Sequence, residues 1–137
     1  MVLLIDTNVA IDYILVRKPH YDDVAKLIDY CQKFNIKIYI AFHSVSVIWY
    51  VLRKNFPPQE RRPILSSVTN LCTVTAAPHS AVIDAIGNKN FPDFEDCLQE
   101  KCALEVGADY IVTRNVKDFT ESEIPAVTPA EMIEILS

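Results

Sequence analysis

The sequence predicts an α/β protein: a three-layer sandwich with helices on both faces of a mostly parallel central sheet. Three observations carry this reading. Short apolar runs of strand character recur at 2–5, 36–40, 71–75 and 109–113, with a last pair at Ala126-Val127. Helical patterns separate these runs, so crossovers rather than hairpins join neighbouring strands. The first run, Val2-Leu-Leu-Ile5, is apolar throughout, as a strand covered on both faces must be.

Each element has its own signal. Asp6-Thr7-Asn8 offers turn and capping oxygens ahead of a short helix over Val9 to Leu15. Arg17-Lys-Pro-His20 is a break, and Pro19 suits the first turn of a helix in which Val24, Leu27, Ile28 and Cys31 recur at helical spacing. Residues 36–40 form the second strand, and 43–52 an apolar-bodied helix with a serine-rich start. Trp49 and Tyr50 are too large to be incidental there; one of them packs on a neighbouring element or a second subunit. The three prolines between Asn55 and Pro63 predict a loop carrying Arg61 and Arg62, with a modest helix reaching Val68. After the third strand, a helix over 79–87 leads through Asn88-Lys-Asn90 to an acid-started helix. Asp93 and Asp96 share one face of that helix, and Gly107 ends it. The 109–113 strand then delivers Arg114, Asn115 and Asp118 past its C-terminal end. Thr128-Pro129-Ala-Glu131 has the form of an N-cap, a first-turn proline and a capping glutamate for a final helix to Leu136.

Composition bounds the function. With 137 residues, half of them apolar, the chain is expected to form one domain spanning 1–137. No apolar run approaches the ~20 residues of a membrane helix. Asp6 interrupts the first apolar run too early for a signal-peptide core, so the expected location is cytoplasmic. Four cysteines without CxxC or CxxH spacing read as reduced and packed, against a zinc site. Two glycines exclude a glycine-rich phosphate loop and a dinucleotide fingerprint. A net charge of −5 argues against broad affinity for nucleic acid, although bound divalent ions offset an acidic site.

The chemistry gathers at one sheet edge. Asp6, Asp96 and Asp118 each lie at a strand or helix end bordering the C-terminal edge, where α/β sites form. Converging carboxylates repel one another unless a cation lies among them, and such oxygen donors suit Mg2+ or Mn2+. Asp93 adds charge from the same helix, while Thr113, Asn115 and Asn8 are placed to support ligands or a bound water. His43 and Ser44, just past the second strand, are candidate substrate contacts, and Ser44 equally suits an N-cap. Among Arg53, Lys54, Arg61, Arg62, Lys89, Lys101, Arg114 and Lys117, Arg114 is the favoured phosphate contact; most of the others read as solvated surface charge. The plainer reading of the acids is capping: Asp6 at an N-cap, Asp93 and Asp96 in a first helical turn, Asp118 opening a turn.

Taken together these residues resemble the PIN domain family. LIDTNV at 4–9, EDCLQEKCA at 95–103 and IVTRNVKDF at 111–119 are similar to its three ordered motifs, with Asp6, Asp96 and Asp118 as the matching acids. The resemblance implies an α/β sandwich acting as a Mg2+- or Mn2+-dependent ribonuclease, with RNA as substrate. It also implies the toxin of a toxin–antitoxin pair, an antitoxin protein as partner, and a homodimer. One position departs: the family usually carries a further acid three residues past the Ser or Thr after the second strand, and here Val47 stands there. Asp93 is the candidate to replace that charge. A subgroup with FHS, here 42–44, is the closer resemblance. The rival reading is a catalytically weak or inactive PIN-like module that binds nucleic acid or protein. A phosphatase-like α/β domain with an aspartyl nucleophile ranks behind both.

Overall fold

In the computed structural model, which describes residues 1–137, five strands form one sheet. They are β1 (Val2–Ile5), β2 (Lys37–Ala41), β3 (Thr73–Thr75), β4 (Tyr110–Val112) and β5 (Ala126–Val127), in the order β3-β2-β1-β4-β5, and every pair is parallel. The N-terminal apolar run is therefore the central strand. Its side chains alternate between faces: Leu3 and Ile5 join one buried cluster and Leu4 the other.

Seven helices cover the sheet: α1 (Thr7–Ile14), α2 (Tyr21–Lys33), α3 (Phe42–Val51), α4 (Pro58–Leu71), α5 (His79–Gly87), α6 (Phe94–Glu105) and α7 (Pro129–Leu136). On one face Val9, Val24, Leu27, Ile28, Ile48, Val68 and Met132 bring α1, α2, α3, α4 and α7 together. On the other, Ala85, Cys97, Cys102, Ala103 and Phe119 pack α5 and α6 against Leu4 and Ile111. The three-layer expectation holds. All four cysteines are buried free thiols, and no helix is long and apolar enough to cross a membrane.

The expected punctuation is present at both late helices. Gly107 takes φ +61° just past α6, the left-handed region where a Cβ is costly. Thr128 and Glu131 close a capping box at α7, with bonds of 3.2 and 3.1 Å. The 55–63 loop is a correction. Helix α4 already starts at Pro58, a first-turn proline, and runs through Pro63. An interior proline forfeits one backbone bond, but Ile64, Leu65 and Val68 pack against the core and carry the helix on.

Register fixes the site. Ile5 pairs with Ile40 on one side and Val112 on the other. The next residues, Asp6 and Thr113, therefore leave the sheet at one level, beside the last residue of β2, Ala41.

Candidate active site

Asp6 ends β1 and caps α1. Its Oδ1 accepts from the Thr7 backbone N–H at 2.8 Å, and its Oδ2 accepts from the Thr113 hydroxyl at 2.8 Å. The capping reading thus holds through one oxygen, while the other is held by Thr113. Thr113 is held in turn, because its oxygen accepts the Asn115 backbone N–H at 3.0 Å. Asp96 comes from the first turn of α6, whose N-cap is Asp93; Asp93 Oδ1 accepts the Asp96 backbone N–H at 3.1 Å.

A third carboxylate joins them from the adjacent position. Ligand oxygens of Asp6, Glu95 and Asp96 all lie within 4.8 Å of one another. Glu95 is fixed by a side-chain network between α3 and α6. Its Oε1 lies 2.9 Å from His43 Nε2 and accepts from Gln99 Nε2, also at 2.9 Å. The buried Gln99 amide reaches Ser44 Oγ at 2.9 Å and Thr7 Oγ1 at 3.1 Å, and those two hydroxyls lie 2.7 Å apart. A reversed amide would set its oxygen against Glu95 Oε1, so the nitrogen must face the carboxylate. The network runs back to Asp6 through Thr7.

These acids open on a cleft of about 440 Å³, lined also by Asn8, Ile11, Arg17, Val47, Asp93, Asn115 and Asp118. The donors are hard oxygens without nitrogen or sulfur, the chemistry that Mg2+ and Mn2+ take. The family model of the PIN domain matches residues 2–117.

The chain belongs to the PIN domain family.

Solved structures share the fold. VapBC2 from Rickettsia felis, bound to a DNA fragment from their promoter, superposes with a TM-score of 0.72 at 16% identity, covering 93% of this chain and 98% of that one. VapBC-1 from nontypeable Haemophilus influenzae gives 0.68 at 17%, covering 94% and 98%. FitAcB from Neisseria gonorrhoeae gives 0.66 at 15%, again covering 94% and 98%. At such identities the likeness is one of fold. No curated protein sequence is a significant match.

Within this PIN domain the expected residues separate into three groups. Asp6, Asp96, Asp93, Asp118, Asn8 and Asn115 reach the cleft, and Thr113 supports Asp6 from beneath. Asp118 lies on a single helical turn, Val116–Phe119, outside the close trio. Val47 lines the cleft and is 37% exposed, so the departure from the family pattern stands at the acids themselves. The neighbouring charge in the trio comes from Glu95, whereas Asp93 is engaged in capping.

Three expected substrate contacts lie elsewhere. Arg114 sets its Nε 2.6 Å from the Oδ2 of fully buried Asp12, a charge pair without hydrogen-bond alignment, and borders a separate recess beside Thr128. A buried carboxylate needs that cation more than the cleft does. Ser44 is fully buried, and the α3 N-cap is Ala41, so it is neither a substrate contact nor a cap. His43 turns to Glu95 and lies outside the cleft lining. Arg17, hidden in what reads as a break, is the cation that does line the cleft. The sequence signal for Glu95 is its spacing to Gln99, i and i+4 on one helix face.

Electrostatics divides the acids. Burial first, then the charges of Asp6, Asp93, Glu95 and Asp118, push the Asp96 carboxyl up to about 8. Burial outweighs the Thr113 bond and pushes Asp6 up to about 6. Burial also opposes charge on Glu95, but the bonds from His43 and Gln99 and the His43 charge outweigh it and hold this carboxyl below its ordinary value. Burial disfavours the charged His43 ring, yet contacts with Cys102 and Glu95 prevail and raise it to about 9. Facing a carboxylate, Nε2 carries a hydrogen and donates it to Glu95. Its 3.2 Å approach to Gln99 Nε2 is then a contact between two donors, not a bond.

Proposed function

We propose that this PIN domain hydrolyses RNA phosphodiesters with Mg2+ or Mn2+ held by Asp6, Glu95 and Asp96. The observation that supports it is the convergence of three carboxylates whose oxygens lie within 4.8 Å of one another, with burial and mutual repulsion raising Asp6 and Asp96 above the ordinary aspartate range. Oxygens set so close favour a cation among them. A bound divalent ion supplies activation of water and neutralisation of phosphoryl charge. The chain's own residues do the rest. Thr113 and the Thr7 N–H orient Asp6, and His43 with Gln99 orients Glu95. Asp118 and Asn115 border the place a scissile phosphate would occupy, and Arg17 offers it a cation. Asp96, whose carboxyl burial and four neighbouring acids hold protonated in the absence of a cation, would give up that proton on joining Asp6 and Glu95 around the ion.

The proposal extends to one domain over 1–137, a cytoplasmic setting and inhibition by an antitoxin protein, supported by the family and by the likeness of fold to VapBC and FitAcB. A homodimer is supported by the exposed apolar side chains Phe42, Ile83 and Ile86 on α3 and α5. Light scattering tests that state.

The deciding experiment is cleavage of end-labelled single-stranded RNA with Mn2+, Mg2+ or chelator, beside Asp6→Asn. Metal-dependent cleavage lost in the variant is expected. Val47 favours the second reading, a PIN fold that binds without cutting, because it withholds a carboxylate from the cleft. Folded protein that binds RNA but neither cuts it nor takes up Mn2+ would establish that reading instead.

A further inference from the structure

A line of side chains leaves the cleft along α3. Val47 lines the cleft, Tyr50 lies one turn further on the same face, and Arg53 and Lys54 follow at the next turn. Tyr50 is 61% exposed, and the Arg53 guanidinium lies 3.6 Å from its ring centre. Beside them Trp49 is flanked by Arg61 at 4.1 Å and Arg62 at 5.6 Å, at the edge of an open recess lined also by Leu65, Ser66 and Thr69.

Helix capping accounts for part of this. Arg53 donates to the Tyr50 carbonyl at 2.8 Å and Arg61 to the Trp49 carbonyl at 3.1 Å, satisfying oxygens at the end of α3. One donor of five is used in each case. None of Arg53, Lys54, Arg61 and Arg62 has a carboxylate within 4.0 Å, in a chain whose net charge is −5. Arg61 Nε is buried and has no partner at all. Four uncompensated cations interleaved with two aromatic rings, continuous with an acidic cleft, are the makings of a single-strand track: rings for bases and guanidinium groups for phosphates.

We propose that the RNA flank leaving the cleft runs along α3, with Tyr50 stacking on a base and Arg53, Lys54 and Arg62 contacting phosphates. The inference rests on the RNA reading above and adds the direction of the strand to it. It assigns a purpose to side chains that otherwise read as surface charge.

The test is fluorescence anisotropy with labelled RNAs of about 12 and 3 nucleotides, the shorter one unable to span the track. Binding is measured in Mn2+ with an Asp96→Asn background, so that the RNA stays intact, and Tyr50→Ala and Arg53→Ala are added singly. Both positions are exposed, so the variants are expected to fold. Each should weaken the long RNA about 5- to 50-fold, within the range that stacking and phosphate contacts supply. The short RNA should change less than twofold. Arg53→Ala should also lower the salt slope for the long RNA by about 0.7, one phosphate contact on a single strand. Equal losses for both lengths, or an unchanged salt slope, overturn the track. So does a Tyr50→Ala variant that shifts the oligomeric state by light scattering while holding the long RNA as before, since the patch would then be a self-interface. Cleavage by the wild-type chain is measured separately: cleavage with unaffected long-RNA binding removes this inference alone, and no cleavage with no binding removes both.

Discussion

The two arms of the candidate site are built differently. Asp6 belongs to the sheet: its oxygens are held by a backbone N–H and by Thr113, both uncharged, and burial leaves it reluctant to ionise. Glu95 belongs to the helices: a charged imidazole and a buried amide hold it, and it ionises readily. One arm thus presents a carboxylate that ionises later than an ordinary aspartate, and the other a carboxylate steadied by a neighbouring imidazole. Where the family usually places an acid on α3, this chain keeps Val47 at the cleft and uses the start of the same helix, through His43, to steady an acid on α6.

The largest effect should come where the arms meet. Asp96→Asn is expected to lower metal-dependent cleavage more than about 100-fold, beyond the roughly 10- to 100-fold cost of losing an outer partner. It should also raise the melting temperature of the metal-free protein above pH 8, because it removes a charge that four neighbouring acids oppose. Cleavage at the wild-type rate would take Asp96 out of the site.

Supports come next. Thr113→Val and His43→Ala should each weaken Mn2+ binding by roughly 10- to 100-fold, measured by titration calorimetry. The His43 variant alone should make that binding more sensitive to pH as Glu95 returns toward an ordinary carboxyl. If His43→Ala leaves Mn2+ affinity intact while Thr113→Val lowers it, the helical arm does not hold the ion.

Val47→Glu sharpens the comparison by restoring a carboxylate on α3. A 37% exposed position tolerates the change, so the protein should fold and bind Mn2+ severalfold more tightly. Loss of the fold, read by circular dichroism, would show that Val47 is part of the core.

The smallest effect is on stability against pH without metal. Asp6 and Asp96 are raised above their unfolded values, so the native chain keeps protons that the unfolded chain has released. Their contribution falls as pH rises from about 4 through 6 and 8. His43 acts in the same direction: its contribution is whole below 6.5 and is lost as pH passes about 9. Glu95 has the opposite sign and matters only in acid. Melting temperature in chelator should therefore decline from pH 5 to 9, and saturating Mn2+ should flatten that decline.

The sheet arm was legible because it is written locally. An apolar run closed by Asp6, and a strand closed by Thr113 and Asn115, both point to one edge once the strands are known to be parallel. The helical arm was not, because Glu95, Gln99, His43, Ser44 and Thr7 meet only after α1, α3 and α6 pack. Arg114 shows the same limit. Its place in the TRN segment suggested the cleft, and a buried aspartate more than a hundred residues earlier in the chain claimed it. Arg17 carries no such signal, because a turn between two helices does not fix the direction of its side chains in the sequence.

The central position of β1 has a consequence for how the site opens. Asp6 N–H donates to the Val112 carbonyl and Thr113 N–H to the Val127 carbonyl, each at 2.9 Å, so both residues are tied into the ladder. Amides there should exchange with solvent at rates set by global unfolding, while those in the first turn of α6, which carries Glu95 and Asp96, exchange through local fraying. The two sides of the cleft are therefore expected to differ in protection, the sheet side exchanging more slowly than the start of α6.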